Sequence, residues 1–271
     1  MTPRWMKAAA HLSRLPELAR CAVRLRPPVR AARAYLGLGA RYPFELATRR
    51  GTRFTVGGFH DLATAWVIFC RGEYAVDPGA RCIVDLGANF GAFTLLAAET
   101  APGARIAAVE PFPAEFARLQ ANVAANGFGD RVRCLRVAVA AEAGERRMEV
   151  GDAPAQSRGL LPPDAAPASS VAVAAQPLAD ILRRAMEDAG TARIDLVKMD
   201  VEGAEHELIP QLTADVLAPV DAWQMEYHPN APSAPLFAAL ERAGLRLVRD
   251  LRFHPDSGVA WFRRGNPPAT A

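Results

Sequence analysis

The pattern of hydrophobic and polar positions is most regular between residues 82 and 264, where short apolar runs alternate with stretches of helical period. Apolar runs rich in β-branched residues are typical of strands buried on both faces of a sheet, and they predict strands at 82–87, 105–111, 131–139, 193–200 and 220–228. Apolar positions with helical spacing predict helices at 93–100, 114–127, 177–190, 203–212 and 234–244. This alternation indicates right-handed βαβ units and a mostly parallel sheet of the α/β class.

Two segments depart from this alternation. Residues 151–168 are rich in Pro, Ala and Gly without a period, which predicts a long surface loop and a candidate substrate lid. Residues 169–175 then resume as an edge strand. At the C-terminus, apolar runs at 245–251 and 259–264 flank turn residues and predict an antiparallel hairpin.

Residues 1–75 have a different organisation and are predicted to form an N-terminal helical extension or cap, separate from a core domain at 76–271. The elements predicted in this extension are a helical stretch at 4–38 broken at Pro16 and Pro27–Pro28, a strand at 52–57 and a helix at 60–70.

The charge is uneven along the chain. The net charge is +3, yet residues 1–50 alone hold eleven basic and two acidic residues. A basic arm of this kind can contact a membrane surface, bind nucleic acid or form a solvated helical face. Because it has no aromatic interleaving and no nucleic-acid motif, we expect a solvated face, no nucleic-acid partner and at most a weak contact with a membrane surface.

Cysteine usage and hydropathy bear on the compartment. The four cysteines are scattered without a CxxC pair, which predicts reduced thiols and no zinc site. The N-terminus carries charges through any apolar stretch, so it is not a secretory signal, and no run reaches the length of a membrane span. We therefore expect a cytoplasmic protein.

The first chemistry-bearing motif is VDLGANFGAF at 84–93, which follows a predicted strand and opens a helix. Gly87 allows a sharp turn, and Gly91 allows a close approach of a ligand or of another element. The start of the helix offers free N–H groups and partial positive charge. Dinucleotide enzymes use a similar turn, so the glycines alone leave a nicotinamide-dependent oxidoreductase as an alternative.

Two carboxylates favour S-adenosylmethionine over a dinucleotide. Asp85 lies just before the glycines, where it would repel a pyrophosphate but suits a sulfonium and an amino group. Glu110 ends the next strand, where a carboxylate can accept hydrogen bonds from two ribose hydroxyls. The structural alternative is that both are capping acids.

The second motif is LVKMDVEGAE at 196–205, in which Lys198, Asp200 and Glu202 alternate and so project to one side of the strand and its extension. Charged residues that end an apolar strand are costly unless they are paired or functional. Lys198 is one of only two lysines among 32 basic residues, which suggests a need for a compact ammonium whose pKa can shift. A structural ion pair is the alternative for Lys198.

The third motif is MEYHP at 225–229, which places Glu226 and His228 on one face near Asp200. His228 is a candidate general base. Asp200, Glu226 and His228 could also bind a divalent metal, but their spacing is not that of a metal motif, so no metal is expected. His206 lies one helical turn from Glu202, with Glu205 adjacent, and an i, i+4 pair of this kind is predicted to be an ordinary surface contact.

The ordered series VDLGANFGAFTLL, VEPFPAEFARLQANVAANG, LRVAVA, PLADIL and IDLVKMDVEGAEHELI resembles the FkbM family of class I methyltransferases, from about residue 81 to 263. The resemblance implies a Rossmann-like fold with a mostly parallel seven-stranded sheet, and an O-methyltransferase of sugar, glycan or secondary-metabolite hydroxyls such as those of macrolides. It also implies the residues that bind S-adenosylmethionine, which are Asp85, Gly87, Asn89, Gly91 and Glu110. The chain departs from the family at Phe112, where Asn is common, and residues 1–75 and 151–168 match no pattern that we can name.

The predicted reaction is in-line methyl transfer from sulfur to an acceptor oxygen, in which positioning supplies much of the rate. Asp200 or His228 is predicted to be the base, with Glu226 or Lys198 orienting or tuning it. The alternatives are the oxidoreductase, a non-catalytic S-adenosylmethionine-binding scaffold, and an N- or C-methyltransferase.

Overall fold

The computed structural model describes residues 15–149 and 170–265 of the 271-residue chain. The chain divides into two compact units, Met1–Ala75 and Val76–Ala271. The first residues of the basic arm and the predicted lid loop at 151–168 lie outside the described residues. No helix in the described part of the chain is long and apolar enough to cross a membrane.

The N-terminal unit combines helices with a small antiparallel sheet. Its elements are α1 (Leu15–Arg24), β1 (Leu25–Arg26), α2 (Pro28–Tyr35), β2 (Phe44–Thr48), β3 (Arg53–Val56), α3 (Phe59–Ala65) and a π-helical segment (Trp66–Arg71). The sequence predicted the helices and β3, but not β1 and β2. Trp66 is fully buried, stacks on Tyr35 with ring centroids 4.0 Å apart, and donates from Nε1 to Glu17 at 2.7 Å.

The second unit is an α/β domain. Its elements, in chain order, are β4 (Cys82–Leu86), α4 (Ala92–Thr100), β5 (Arg105–Val109), α5 (Pro113–Ala125), β6 (Val132–Leu135), β7 (Ala138–Ala140), β8 (Gly144–Glu149), β9 (Ser170–Pro177), α6 (Leu178–Ala189), β10 (Leu196–Met199), α7 (Glu205–Gln211), α8 (Ala214–Leu217), β11 (Ala222–Tyr227), α9 (Ala234–Arg242), β12 (Leu245–His254) and β13 (Ser257–Arg264).

Seven of these strands form one sheet in the order β12-β13-β11-β10-β4-β5-β6. The five strands from β11 to β6 are parallel, while β13 is antiparallel to both β11 and β12. The predicted Rossmann-like, mostly parallel seven-stranded sheet with a terminal hairpin is confirmed. All five residues of β4 are buried, as expected for a central parallel strand covered on both faces.

The predicted strand at 131–139 is wrong in one respect, because it is two strands in different sheets. The chain leaves the main sheet after Leu135, and β7 joins a second sheet of order β7-β9-β8. In that sheet β9 is the central strand, not the edge strand that the sequence predicted. A continuous apolar run cannot show where a strand changes its partner.

All four cysteines are free thiols, in agreement with the expectation from the sequence. Cys82 is fully buried within β4 and packs in the main core, together with Val84, Leu86, Val197 and Trp223. Cys134 in β6 is only partly buried. The core therefore holds together by apolar packing without cross-links.

Candidate active site

The candidate site lies at the carboxyl ends of β4, β5, β10 and β11, where an open parallel sheet forms its ligand crevice. The turn after β4 contains three left-handed residues, Gly87 (φ 76°), Asn89 (φ 51°) and Gly91 (φ 97°). A Cβ at Gly87 would lie 1.7 Å from the carbonyl oxygen of Asp200, and one at Gly91 would lie 2.8 Å from Leu119 in α5. The glycines therefore let this turn pack against the end of β10 and against α5.

Replacing Gly87 with alanine is expected to destabilise the domain by at least about 2 kcal/mol, because it adds left-handed strain and a clash with the backbone of Asp200. Urea unfolding followed by circular dichroism measures the change. Gly103→Ala is the matched control, since a Cβ at Gly103 would meet no atom within 4 Å. Equal stability of the two variants would contradict the packing described for the turn.

Glu110 follows β5 and is buried beside this turn. Its two carboxylate oxygens accept hydrogen bonds from the backbone N–H groups of Asn89 and Phe112, each at 2.8 Å. Burial raises the pKa of Glu110 to about 7, although both hydrogen bonds oppose the shift. A carboxylate has about four lone-pair sites, so this one is held in place with acceptor capacity to spare.

Three hydrogen bonds shape the turn beside Glu110. The bond from residue 112 is donated by the backbone, so phenylalanine in place of asparagine leaves it intact. Asn122, which the sequence analysis missed, donates from Nδ2 to the carbonyl of Phe90 at 2.8 Å and ties α5 to the turn. The side chain of Asn89 accepts a bond from the N–H of Phe90 at 2.7 Å. Asn89 therefore shapes the turn through its own side chain.

Lys198 is fully enclosed and connects the turn to the neighbouring strand. Its Nζ donates to the carbonyl of Gly87 at 2.8 Å, and it lies 3.2 Å from Asp85 Oδ1 and 3.9 Å from Asp200 Oδ2. Burial lowers the pKa of Lys198, but Asp85 and Asp200 outweigh it and hold the pKa above its ordinary value. Lys198 is therefore an ammonium in a structural ion pair, and no group here makes it a proton acceptor at neutral pH.

Asp85 is directly opposite Lys198 in the register of β4 and β10. Its side chain is fully buried, and Oδ2 accepts a hydrogen bond from the Thr94 hydroxyl at 2.5 Å. The carboxylate therefore contacts Lys198 and Thr94. Its predicted role as a direct partner of the donor's cationic end stays a prediction, and an indirect role through Lys198 is the one that the contacts support.

A second group surrounds His228, which follows β11. Its Nδ1 lies 2.9 Å from Glu205 Oε1, and its Nε2 lies 3.4 Å from Glu202 Oε2 and 3.9 Å from Asp200 Oδ1. Burial lowers the pKa of His228, but Glu205, Asp200 and Glu202 raise it to about 9. At neutral pH the ring is therefore an imidazolium with both nitrogens protonated, and it cannot accept a further proton.

The carboxylates of this group differ in their surroundings. Burial and the neighbouring Asp200 raise the pKa of Glu202 to about 8. Asp200 is 27% exposed, and its Oδ1 has no hydrogen-bond partner among the described residues. Glu205 is fully buried. The predicted surface pair of His206 with Glu202 is wrong, because His206 is only 11% exposed and its Nε2 lies 2.6 Å from the carbonyl oxygen of His228.

The structure brings Asp200 and His228 together as predicted, but Glu202 completes the group in place of Glu226. Ligand atoms of Asp200, Glu202 and His228 lie within 4.8 Å of one another, so these residues could hold a divalent metal. Glu226 lies in β11 opposite Val259 of β13, and its charge acts on Lys198. The sequence placed Glu202 in the alternating second motif, although not in the candidate metal set, and Glu205 follows in the same stretch, DVEGAE.

The raised pKa of His228 predicts how the free energy of unfolding changes with pH. Because the pKa is raised from 6.5 to about 9, its contribution is fully present below about pH 6.5 and is lost as the pH rises through about 9. The shift corresponds to at most about 3 kcal/mol at about 1.36 kcal/mol per unit. The raised pKa of Glu202 acts in the same direction between about 4.5 and 8.

We therefore expect the free energy of unfolding, measured with urea, to fall between pH 6 and pH 9.5, and to fall by less in His228→Asn. His254→Asn, a change at an exposed position, should retain the fall of the unmodified chain. The same fall in all three proteins would contradict the assigned pKa of His228.

The strand order and the glycine turn define a Rossmann-like α/β fold, and comparison with known proteins gives the class of enzyme and the family. The family model of the methyltransferase FkbM domain matches residues 85–247. The chain is 30% identical over 204 residues to methyltransferase sdnD of Sordaria araneosa, a match that covers 64% of this chain and 76% of that protein. The chain belongs to the FkbM family, and methyl transfer is the activity that this membership supports.

Two further similarities are more limited. The chain is 40% identical over 80 residues to 31-O-demethyl-FK506 methyltransferase FkbM of Streptomyces tacrolimicus, which is 30% of each protein. A solved structure of methyltransferase FkbM from Methylobacillus flagellatus is 14% identical, covers 94% of this chain and 60% of that chain, and gives a TM-score of 0.48.

Proposed function

We propose that the chain transfers a methyl group from S-adenosylmethionine to a hydroxyl oxygen of a sugar, a glycan or a secondary metabolite. The observation that carries the proposal is the position of Glu110: a buried carboxylate, held by two backbone N–H groups beside a left-handed glycine turn, with acceptor capacity left for ribose hydroxyls.

These residues fit the donor. Glu110 would hold the ribose, and the turn at Gly87, Asn89 and Gly91 would lie against the donor with its backbone. When bound, S-adenosylmethionine supplies a methyl group activated by a positively charged sulfur. What remains for the chain is to hold the acceptor in line and to take its proton.

Asp200 is the candidate that fits proton acceptance best. Its Oδ1 is buried and accepts no hydrogen bond from the described residues, while the side chain as a whole is partly exposed at the strand end. Lys198 Nζ lies 3.9 Å from Oδ2, an ion-pair contact that stabilises the charged carboxylate. His228 is protonated at neutral pH, so its Nε2–H is suited to orienting Asp200 or the acceptor oxygen. We therefore assign the base to Asp200 and an orienting role to His228.

The name of one relative supports the proposed acceptor class. That relative is named for methyl transfer to 31-O-demethyl-FK506, an O-demethylated acceptor. We therefore propose a small molecule or glycan as the partner.

The test has two arms. Calorimetry compares the binding of S-adenosylmethionine with that of NAD, and mass spectrometry follows transfer from an isotope-labelled methyl donor to a panel of sugars, macrolides and matched amines. We expect binding of the adenosyl donor without NAD binding, and transfer to hydroxyls. Binding of NAD alone would reject the donor, transfer to amines would reject the hydroxyl acceptor, and donor binding without transfer would indicate a scaffold.

A further inference from the structure

We infer that Glu205 is a positioning residue that fixes the His228 ring so that Nε2 points at Asp200 and Glu202. The inference rests on the proposed function for its catalytic consequence, but its geometric part can be tested without any acceptor. In the sequence, Glu205 is only the neighbour of the Glu202–His206 pair, and no role in the site was predicted for it.

Glu205 is fully buried, and each of its two carboxylate oxygens accepts a hydrogen bond. Oε1 accepts from the backbone N–H of His228 at 2.8 Å and lies 2.9 Å from His228 Nδ1, while Oε2 accepts from the N–H of Gly203 at 2.9 Å. One carboxylate thus joins the exit of β11 to the loop that precedes α7. Burial of a carboxylate is costly unless it is hydrogen-bonded, and both oxygens of Glu205 have hydrogen-bond partners.

The bond to Nδ1 determines which ring nitrogen is available for chemistry. Because Nδ1 donates to Glu205, Nε2 is the nitrogen left facing Asp200 and Glu202, at 3.9 and 3.4 Å. The backbone of His228 is fixed as well, since His206 Nε2 lies 2.6 Å from its carbonyl oxygen. The groups facing the ring are therefore Asp200 and Glu202 from the end of β10 and Glu205 from α7.

Glu205 also acts on the charge of the ring. A buried carboxylate at hydrogen-bond distance from Nδ1 favours the imidazolium, and charge-assisted bonds of this kind are stronger than neutral ones. Glutamine has nearly the same shape but no charge, and its amide cannot accept at both ends. Glu205→Gln should therefore weaken the hydrogen bond to His228 Nδ1, while the packing around residue 205 changes little.

The first readout is the ring itself. Nitrogen-15 NMR of the imidazole should show a hydrogen-bonded, protonated Nδ1 for His228 in the unmodified chain, and loss of that signature in Glu205→Gln. Glu207→Gln, an exposed neighbour on the same helix, is the matched control and should leave the spectrum unchanged. The same His228 signals in Glu205→Gln and the unmodified chain would overturn the inference.

The second readout is a double-mutant cycle in turnover. Glu205→Gln should lower kcat on the order of 10²-fold, the lower part of the range for general acid–base catalysis, with KM for the acceptor and the Kd of S-adenosylmethionine within about twofold. In the His228→Asn background the same change should have no further effect. Multiplicative effects, or an equal loss of donor affinity, would show a merely structural role and overturn the inference. If no acceptor is methylated by the unmodified chain, the proposed function fails while the NMR result still decides the position of the ring.

Discussion

Replacing Asp200 with asparagine is expected to lower kcat by about 10²- to 10⁴-fold, the range that a positioned acid or base contributes, while the Kd of S-adenosylmethionine changes by less than about twofold. The amide has the shape of the carboxylate but cannot take the proton of an acceptor hydroxyl. The backbone of Asp200, whose N–H donates to Leu86 at 3.0 Å, is unaffected by the change. Steady-state kinetics and calorimetry measure the two quantities.

Asp180→Asn is the control for this experiment, since Asp180 lies on the exposed face of α6 in a surface pair with Arg183. Turnover of Asp200→Asn close to that of the control would remove Asp200 from the role of base. A loss of donor affinity equal to the loss in kcat would mean that the residue belongs to the donor site instead.

Replacing Glu110 with glutamine is expected to weaken S-adenosylmethionine binding by roughly 10²-fold or more, since hydrogen bonds to a charged acceptor contribute about 1.5–3 kcal/mol each and two ribose hydroxyls are involved. In the unmodified chain the affinity should rise as the pH increases from 6 to 8. The reason is that the carboxyl group, whose pKa burial raises to about 7, must be ionised to accept both bonds.

The variant should lose this pH dependence, and calorimetry at both pH values tests both parts of the prediction. Glu142→Gln, a change at an exposed position, should bind the donor like the unmodified chain at each pH. Circular dichroism checks that the variant as a whole remains folded. Unchanged affinity in Glu110→Gln would mean that the ribose lies elsewhere.

Much of the main sheet could be predicted because its strands are buried on both faces. The run at 82–87 has no polar interruption other than Asp85, and β4 occupies Cys82–Leu86. In contrast, β8 (Gly144–Glu149) was missed, since GERRME carries no apolar alternation and its partner β9 begins only after residues 150–169. Local patterns report burial well but do not report which distant strand supplies a partner.

The site was predictable at the level of residue types and less so at the level of contacts. Lys198 and Asp200 lie in the site as the alternation in the second motif suggested, and the register explains why, since Lys198 faces Asp85 across two parallel strands. The burial of Glu205 depends on how the end of β11 crosses α7. Such a crossing is a tertiary feature that helical spacing cannot encode, and it makes Glu205 a partner of His228.

The bond from Lys198 to the carbonyl of Gly87 has an evolutionary consequence. It couples the loop proposed to cradle the adenosyl moiety to the strand that bears the proposed proton acceptor, so neither can drift in position without disturbing the other. Relatives that diversify their acceptors are therefore constrained to do so with side chains outside this shared frame. Laboratory selection for new acceptors should likewise accumulate its changes elsewhere and spare position 198.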